Sequence, residues 1–481
     1  MSVNLVYDVL SDAARKWPNE VAVYDEWGTQ TFYQLWSETE IVRARLIQCG
    51  IKEGMAVGVI ARNSRNFISG ILAVIGTGAV VMPVSHQLKQ NELKDVWKDA
   101  QLSAIVDDGS AKDYHPEKFE KIILSTGFFR LAKLNSPHTD KPFAAHAKSL
   151  AFMRFTSGTT GKAKGVIISH QSALDRTEAA NKILALGPGD TVLWVLPMAY
   201  HFVVSILLYI RYGAAIAIAK DFLPLNVLNM ANDCKATLLY ASPMQIRLLA
   251  NTEGNVQMHT LKRAISTSAG ITADICKQFE KRFQLPVSQA YGIIEIGLPI
   301  INTFSNHDHP EAVGHVLPGF EVQIFDENNC PVPNGVIGKL GIKGPGMFDA
   351  YLDPPLKRED VTVNGFFLTA DFASKSDDGL ITIEGREKSV MNIAGNKVFP
   401  EEVEGVLEGY PGVKLARIKS IPHPLMGQII MADIIKEEYS DIDTEDLIAF
   451  CRKRLSTYKV PQRVHFVDEL PMTSSGKLIR Q

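Results

Sequence analysis

The strongest constraint on this chain is a recurring alternation between short apolar runs and helical patterns. Residues 55–61 (MAVGVIA), 80–84 (VVMPV), 102–108 (LSAIVDD), 190–197 (DTVLWVLP), 214–219 (AAIAIA) and 236–242 (ATLLYAS) are apolar runs of strand length. Unbroken apolar runs suit strands buried on both faces. Residues 64–79 (SRNFISGILAVIGTGA) carry a helical pattern between the first two. Strands alternating with helices imply βαβ units and largely parallel sheets. From residue 310 to 388 the texture changes. Short alternating segments (FEVQIFD, GKLGIKG, GFFLTADFA, GLITIEG) sit between Gly, Pro, Asn and Asp, which predicts a mostly antiparallel β region. Beyond it, residues 400–410 (PEEVEGVLEGY) read as a helix with Pro at its start. Residues 443–455 (DTEDLIAFCRKRL) read as another, capped by Asp443 or Thr444. A chain of 481 residues exceeds what one core usually organises. We expect an α/β fold with a large N-terminal domain, 1–388, that is α/β to about 310 and β-rich over 310–388. A small α+β domain follows over 389–481.

Charge and cysteine content narrow the function classes. The formal net charge is −3, so the chain lacks the basic excess of a nucleic-acid-binding surface. The five cysteines are scattered without a CxxC or Cys/His cluster, which fits free thiols in a reducing compartment. The N-terminus reads as the entry to an amphipathic helix and has no signal-peptide core. The most apolar stretch, residues 202–220 (FVVSILLYIRYGAAIAIAK), is broken by Arg211 and by the turn-like Tyr212-Gly213. It is too short and interrupted to span a bilayer, and predicts a buried helix followed by a buried strand. A cytoplasmic location without a membrane span is expected.

Residues 155–165 (FTSGTTGKAKG) concentrate hydroxyls, glycines and lysines directly after a predicted strand, LAFMRF, 150–155. Glycine lets backbone N–H groups approach a ligand closely, hydroxyls add donors and lysine adds charge. The run is either a phosphate cradle or a solvated loop. It is not a Walker A loop, because Gly161-Lys162 is followed by Ala163 and not by Ser or Thr.

TSGTTGKAKGV closely resembles the phosphate loop of the adenylate-forming superfamily, which includes acyl-CoA synthetases, peptide-synthetase adenylation domains and luciferases. Only a Pro is missing, at Ala163. AYGIIEIG (290–297) resembles the superfamily's Y-G-x-T-E motif, and FLTADFA (367–373) its Y-x-T-G-D motif. GREKSVMNIAGNKVFPEEVE (385–404) resembles the hinge and the loop after it, and PMTSSGK (471–477) the terminal P-x-T-x-x-G-K. The five stand in family order. The resemblance implies stacked α/β subdomains, a β-barrel-like subdomain and a mobile C-terminal lid that swings about Lys388-Ser389. It implies joining of a small carboxylic acid to the α-phosphate of ATP, release of pyrophosphate, and transfer to the thiol of coenzyme A. A phosphopantetheine on an acyl carrier protein is the alternative acceptor. Thr156, Ser157, Gly158, Thr159, Thr160, Gly161 and Lys164 would cradle the phosphates. Glu295, with Thr160, would hold Mg²⁺, a hard cation that takes oxygen ligands. Asp371 and Arg386 would hold the ribose, and Tyr291, flanked by Ala290 and Gly292, would stack on adenine beside Ser268, Ala269 and Gly270. Lys477 would bridge the attacking carboxylate and the α-phosphate as charge develops. His201, Thr267, Ala290 and Gly297 would line the acyl pocket, and Gly395 the thiol tunnel. His201 either serves the acid or is a core histidine.

The chain departs from the family pattern at several of these positions. Ile294 stands where a Thr hydroxyl usually meets the α-phosphate, so weaker adenylation or a compensating donor is expected. Ala370 replaces a Gly, a mild change unless φ is positive there. Thr267-Ser268 replaces a common Gly-Gly and Ala290 a common Gly, which predicts a shorter pocket for a short, medium-chain or aromatic acid. Ser389 stands where many relatives carry Asp. A nucleotide-binding homologue without catalysis is the competing reading, with Ile294 its main support. A monomer or homodimer is expected.

Overall fold

The computed structural model describes residues 5–134, 142–155, 164–387, 389–393, 396–423, 427–472 and 478. The apolar runs become strands of two large sheets. One has nine strands in the order His315–Val316, Gly297–Ile301, Val287–Ile293, Arg263–Ser266, Leu238–Ala241, Thr191–Trp194, Ala215–Ile218, Val21–Asp25 and Gly28–Thr31. Every pairing from Val287–Ile293 to Val21–Asp25 is parallel, and both edges are closed by antiparallel partners. The second sheet has eight strands. At its centre are Leu150–Phe155, Val80–Ser85, Ala56–Ala61 and Ala104–Asp107, all parallel. Pro83 lies inside Val80–Ser85. It lacks an N–H for the ladder, and this strand meets Leu150–Phe155 only at Val81 opposite Phe152.

The main core lies between the two sheets. Its residues come from both, with the helix Arg65–Ile75 among them. That helix is buried at every position, as a central-layer helix must be. It is entered through Ser64, whose hydroxyl accepts from Phe67 N at 3.2 Å. Side chains on the strands alternate between layers. Trp194, Tyr240 and Ile265 face the inter-sheet core, while Leu193, Leu239 and Ala264 face the outer helices Pro224–Asp233, Pro243–Ala250 and Ala273–Phe283.

The β-rich region forms a five-stranded antiparallel sheet built on Glu321–Phe325, Gly338–Lys343, Phe366–Lys375 and Ile381–Arg386. The C-terminal residues form Val413–His423, Gly427–Lys436 and Arg463–Phe466, flanked by the helices Pro400–Glu408 and Thr444–Arg452. The last helix is capped by Asp443, which accepts from Glu445 N and Asp446 N. These elements have a separate apolar core. They dock on the large domain where Arg247 donates to Lys414 O and, at 3.2 Å, to Glu408. No helix among the described residues is long and apolar enough to cross a membrane.

One irregularity positions a predicted site residue. Along Gly338–Lys343, Lys339 pairs with Phe372 and Gly341 with Leu368, so Thr369, Ala370 and Asp371 bulge opposite Leu340. Bulges re-aim side chains beside functional sites. Ala370 has φ +61°, a left-handed conformation that costs a non-glycine residue about 1 kcal/mol or more. Replacing it with Gly removes that strain and returns part of the gain as chain entropy. Ala370→Gly should therefore raise the unfolding free energy by about 0.5–1 kcal/mol, read as a higher melting temperature. A lower melting temperature would show that the bulge is not strained.

Candidate active site

Predicted site residues gather where the carboxyl ends of the parallel strands meet the antiparallel sheet, the edge at which open α/β sheets bind ligands. The first group is Tyr291, Asp371 and Arg386. Asp371 and Arg386 are directly opposed on adjacent strands. Asp371 is buried, and Arg386 Nε lies 3.3 Å from its Oδ1. Tyr291 OH donates to Asp371 Oδ2 at 2.5 Å. Burial, with the Asp371 charge second, holds the Tyr291 phenol well above its ordinary pKa. Tyr291 therefore stays a donor at physiological pH. The carboxylate keeps lone pairs on both oxygens, which suits two adjacent hydroxyls of a ribose. Ser268, Ala269 and Gly270 form an exposed run after the strand Arg263–Ser266, with Ser268 at φ +76°.

The second group surrounds Glu295, in the turn between Val287–Ile293 and Gly297–Ile301. Its backbone is pinned by Phe348 N donating to Glu295 O at 2.7 Å. Tyr351 OH donates to Glu295 Oε1 at 3.1 Å. Lys164 Nζ, within the hydroxyl-rich stretch, sits 4.9 Å over the ring of the same Tyr351. Burial raises the Glu295 pKa, opposed by the Tyr351 bond and by the charges of Arg154 and Arg176. The turn is sterically tight. A Cβ on Gly292 would lie 2.3 Å from Gly297 O, and Gly297, at φ +98°, packs against Arg176. These two glycines thus have a packing reason independent of any ligand.

The third group is His201, Thr267, Ala290, Trp194 and Tyr240. His201 ends the helical turn Met198–His201, and a π-helix, Phe202–Ile206, follows it. Such π-turns are often found at functional sites. The Trp194 ring lies edge-on to His201 at 5.7 Å and stacks on Tyr240 at 5.7 Å and 12°. Thr267 Oγ1 donates to Ala290 O at 3.4 Å. Trp194 and Tyr240 are buried, and Trp194 Nε1 has no hydrogen-bond partner among the described residues.

Thr156, Ser157, Gly158, Thr159, Thr160, Gly161, Gly395, Lys388 and Lys477 lie outside the described residues. Ser389 is described, and its hydroxyl donates to Arg386 O at 3.0 Å and lies 3.1 Å from Glu401 Oε1. Sequence reasoning did not single out Tyr351, Trp194 and Tyr240, whose contacts with Glu295 and His201 join residues distant in the chain. Nor did it single out Arg154, a charged residue inside the apolar strand Leu150–Phe155.

A divalent cation fits the Glu295 group. The carboxylate is a hard oxygen donor whose charge is destabilised by burial, and a bound cation would relieve that cost. A carboxyl whose pKa is raised on folding binds protons more readily folded than unfolded. Its contribution to stability therefore falls as pH rises through the interval between the two values. In the ligand-free protein, Glu295→Gln should melt above wild type at pH 8, with the gap narrowing towards pH 4. The same substitution should weaken Mg²⁺-dependent ATP binding. Equal melting at both pH values would contradict the burial cost assigned to Glu295.

A family model described as AMP-binding enzyme matches residues 10–352, and one described as AMP-binding enzyme C-terminal domain matches residues 402–477. A long-chain-fatty-acid–CoA ligase of Bacillus subtilis (strain 168) is 26% identical, covering 98% of this chain and 93% of its own. Gramicidin S synthase 2 of Brevibacillus brevis is 26% identical over 99% of this chain, which corresponds to 11% of the synthase. The ATP-bound crystal structure of MatB from Rhodopseudomonas palustris shares the fold, with TM-score 0.81 and 22% identity over 98% of this chain and 97% of MatB. Matched by both models over most of its length, the chain belongs to the AMP-binding, adenylate-forming ligases.

Proposed function

We propose that this chain is an AMP-forming acid–thiol ligase. It activates a small carboxylic acid as acyl-AMP, releases pyrophosphate, and then transfers the acyl group to the thiol of coenzyme A. The observation that carries this reading is the Tyr291–Asp371–Arg386 grip. It matches a ribose, and its Tyr291 lies four residues before Glu295, at the end of the strand that leads into the Glu295 turn. Tyr291 fixes Asp371 Oδ2, Arg386 neutralises Oδ1, and the bulge at Ala370 turns the carboxylate towards the cleft. Glu295 would hold Mg²⁺ together with Thr160, and the cation would draw charge from the phosphoryl oxygens. Lys477 would place its point charge between the attacking carboxylate and the α-phosphate. We divide the chain at Lys388-Ser389, so that residues 389–481 carry Lys477 to the site and later withdraw it. The long-chain-fatty-acid–CoA ligase of Bacillus subtilis, matched over 93% of its own length, supports coenzyme A as acceptor.

The third group supports a small acyl pocket. Trp194 and Tyr240 stack against each other beside His201, and Thr267 and Ala290 add volume next to them. Each methylene that a pocket accepts or refuses is worth about 10–200-fold in specificity.

The test is pyrophosphate release with ATP, Mg²⁺ and a panel of carboxylic acids, with and without coenzyme A. Acid-dependent release accelerated by coenzyme A is expected. Release that coenzyme A leaves unchanged would assign the acceptor to a carrier protein, and no release from any acid would favour a nucleotide-binding homologue without catalysis. Tyr240→Ala should raise kcat/KM for acids longer than the wild-type optimum by about 10-fold, while costing about 3 kcal/mol of stability. Unchanged chain-length preference would remove Tyr240 from the pocket. Lys477→Ala should cut acyl-AMP formation by about 100-fold or more and leave thioester formation from supplied acyl-AMP near wild type. Equal losses in both half-reactions would contradict the role given to Lys477.

A further inference from the structure

Two arginines stand near Glu295, and they are partnered differently. Arg176 is fully buried, with its donors committed to carbonyls. Nε and Nη2 donate to Gly346 O at 2.9 and 2.5 Å, and Nη1 to Ile294 O at 3.0 Å. It is a structural strut that holds the turn before Glu295. Arg154 is the penultimate residue of Leu150–Phe155, two positions before the hydroxyl-rich loop. Its Nη1 donates to Tyr200 O, and its guanidinium lies 4.8 Å over the Tyr200 ring. Its Nε is buried with no partner, and it has no ion pair among the described residues. A guanidinium carries five N–H donors. Arg154 is partly buried, and a buried guanidinium N–H left without a partner is costly. An apolar side chain would have suited this strand, whose other members are Leu, Ala, Phe, Met and Phe.

The position of Arg154 shows what it faces. Tyr200, whose carbonyl it holds, adjoins His201 at the expected mouth of the acyl pocket. On the other side its charge and that of Glu295 stabilise each other. Burial lowers its pKa to about 10, so it remains cationic at neutral pH. Arg154 pairs with Val166 and Val166 with Tyr351, whose hydroxyl reaches Glu295, so Arg154 stands between Tyr200 and the turn that carries Glu295 and, one residue before it, Ile294.

We propose that Arg154 is the compensating donor: it binds the α-phosphoryl oxygens in place of the hydroxyl that Ile294 lacks. This rests on the adenylating reading above. It adds a residue that the motif resemblance does not assign, and it explains how Ile294 is compatible with activity. Arginine suits the task because its fork can hold two oxygens of one phosphoryl group.

The test separates this proposal from the ligase reading by using binding as well as turnover. In calorimetry, Arg154→Met should weaken AMP about 10-fold or more and leave adenosine unchanged, because only AMP carries the phosphate. Acid-dependent exchange of labelled pyrophosphate into ATP should fall about 100-fold. The ligand-free variant should melt at or above the wild-type temperature, since a partly buried guanidinium with an unpartnered Nε has been replaced by an apolar chain of similar length. Arg154→Lys should retain part of the AMP affinity. Ile294→Thr placed in the Arg154→Met background should recover at least about 10-fold of the lost exchange, and should change the wild type little. Equal losses for AMP and adenosine, a melting temperature that falls with activity in both Arg154 variants, or no recovery by Ile294→Thr would each overturn the proposal. If no acid supports exchange in the wild type, the ligase reading fails, and the AMP–adenosine comparison still decides whether Arg154 holds a phosphate.

Discussion

A carboxylate taken out of water must be paired, and two carboxylates in one cleft must be kept from sharing partners. The site is arranged around that requirement. Asp371 is placed by a strand bulge and fixed by a phenol on one oxygen and a guanidinium near the other. Glu295 is placed by a tight turn, pinned by Phe348 N, and meets Tyr351. The two acids therefore differ in environment. Asp371 is compensated by direct partners, while Glu295 stays expensive to charge and suited to a cation. Each is mounted on a rigid antiparallel element at the carboxyl edge of a parallel sheet, where side chains from distant strands converge.

The cost of this arrangement is borne by particular backbone positions. Ala370 is left-handed so that Asp371 can turn inward, and Gly292 and Gly297 make room for the Glu295 turn. Arg176 spends its donors on carbonyls of two separate segments and ties that turn to the strand-rich region. Strain and buried charge at a site are retained when surrounding packing over-determines them. The fully buried helix Arg65–Ile75 and the two sheets that enclose it supply that packing.

Much of this was legible in the sequence, for local reasons. Apolar runs of strand length became the strands Ala56–Ala61, Thr191–Trp194, Ala215–Ile218 and Leu238–Ala241, because a run apolar on both faces has few other places to go. Residues 400–410 and 443–455 contain the helices Pro400–Glu408 and Thr444–Arg452, read from Pro and Asp at their starts. Sheet order was not legible. Val21–Asp25 pairs with Ala215–Ile218, nearly two hundred residues away, and no local pattern encodes such a pairing. The site divides along the same line. Tyr291, Glu295, Asp371 and Arg386, which the structure brings to one cleft, were singled out because they stand in motifs. Tyr351, Tyr240 and Arg154 were not singled out, because their contacts with Glu295, Trp194 and Tyr200 join segments that only the fold brings together.

The central claim is that this cleft joins a carboxylate to the α-phosphate of ATP. The most direct measurement is exchange of labelled pyrophosphate into ATP by the purified protein, with Mg²⁺ and each of a series of short, medium-chain and aromatic acids. The account predicts exchange that requires both the acid and Mg²⁺, and that is fastest with an acid small enough for a pocket bounded by Trp194 and Tyr240. Tight ATP binding without exchange for any acid would contradict it.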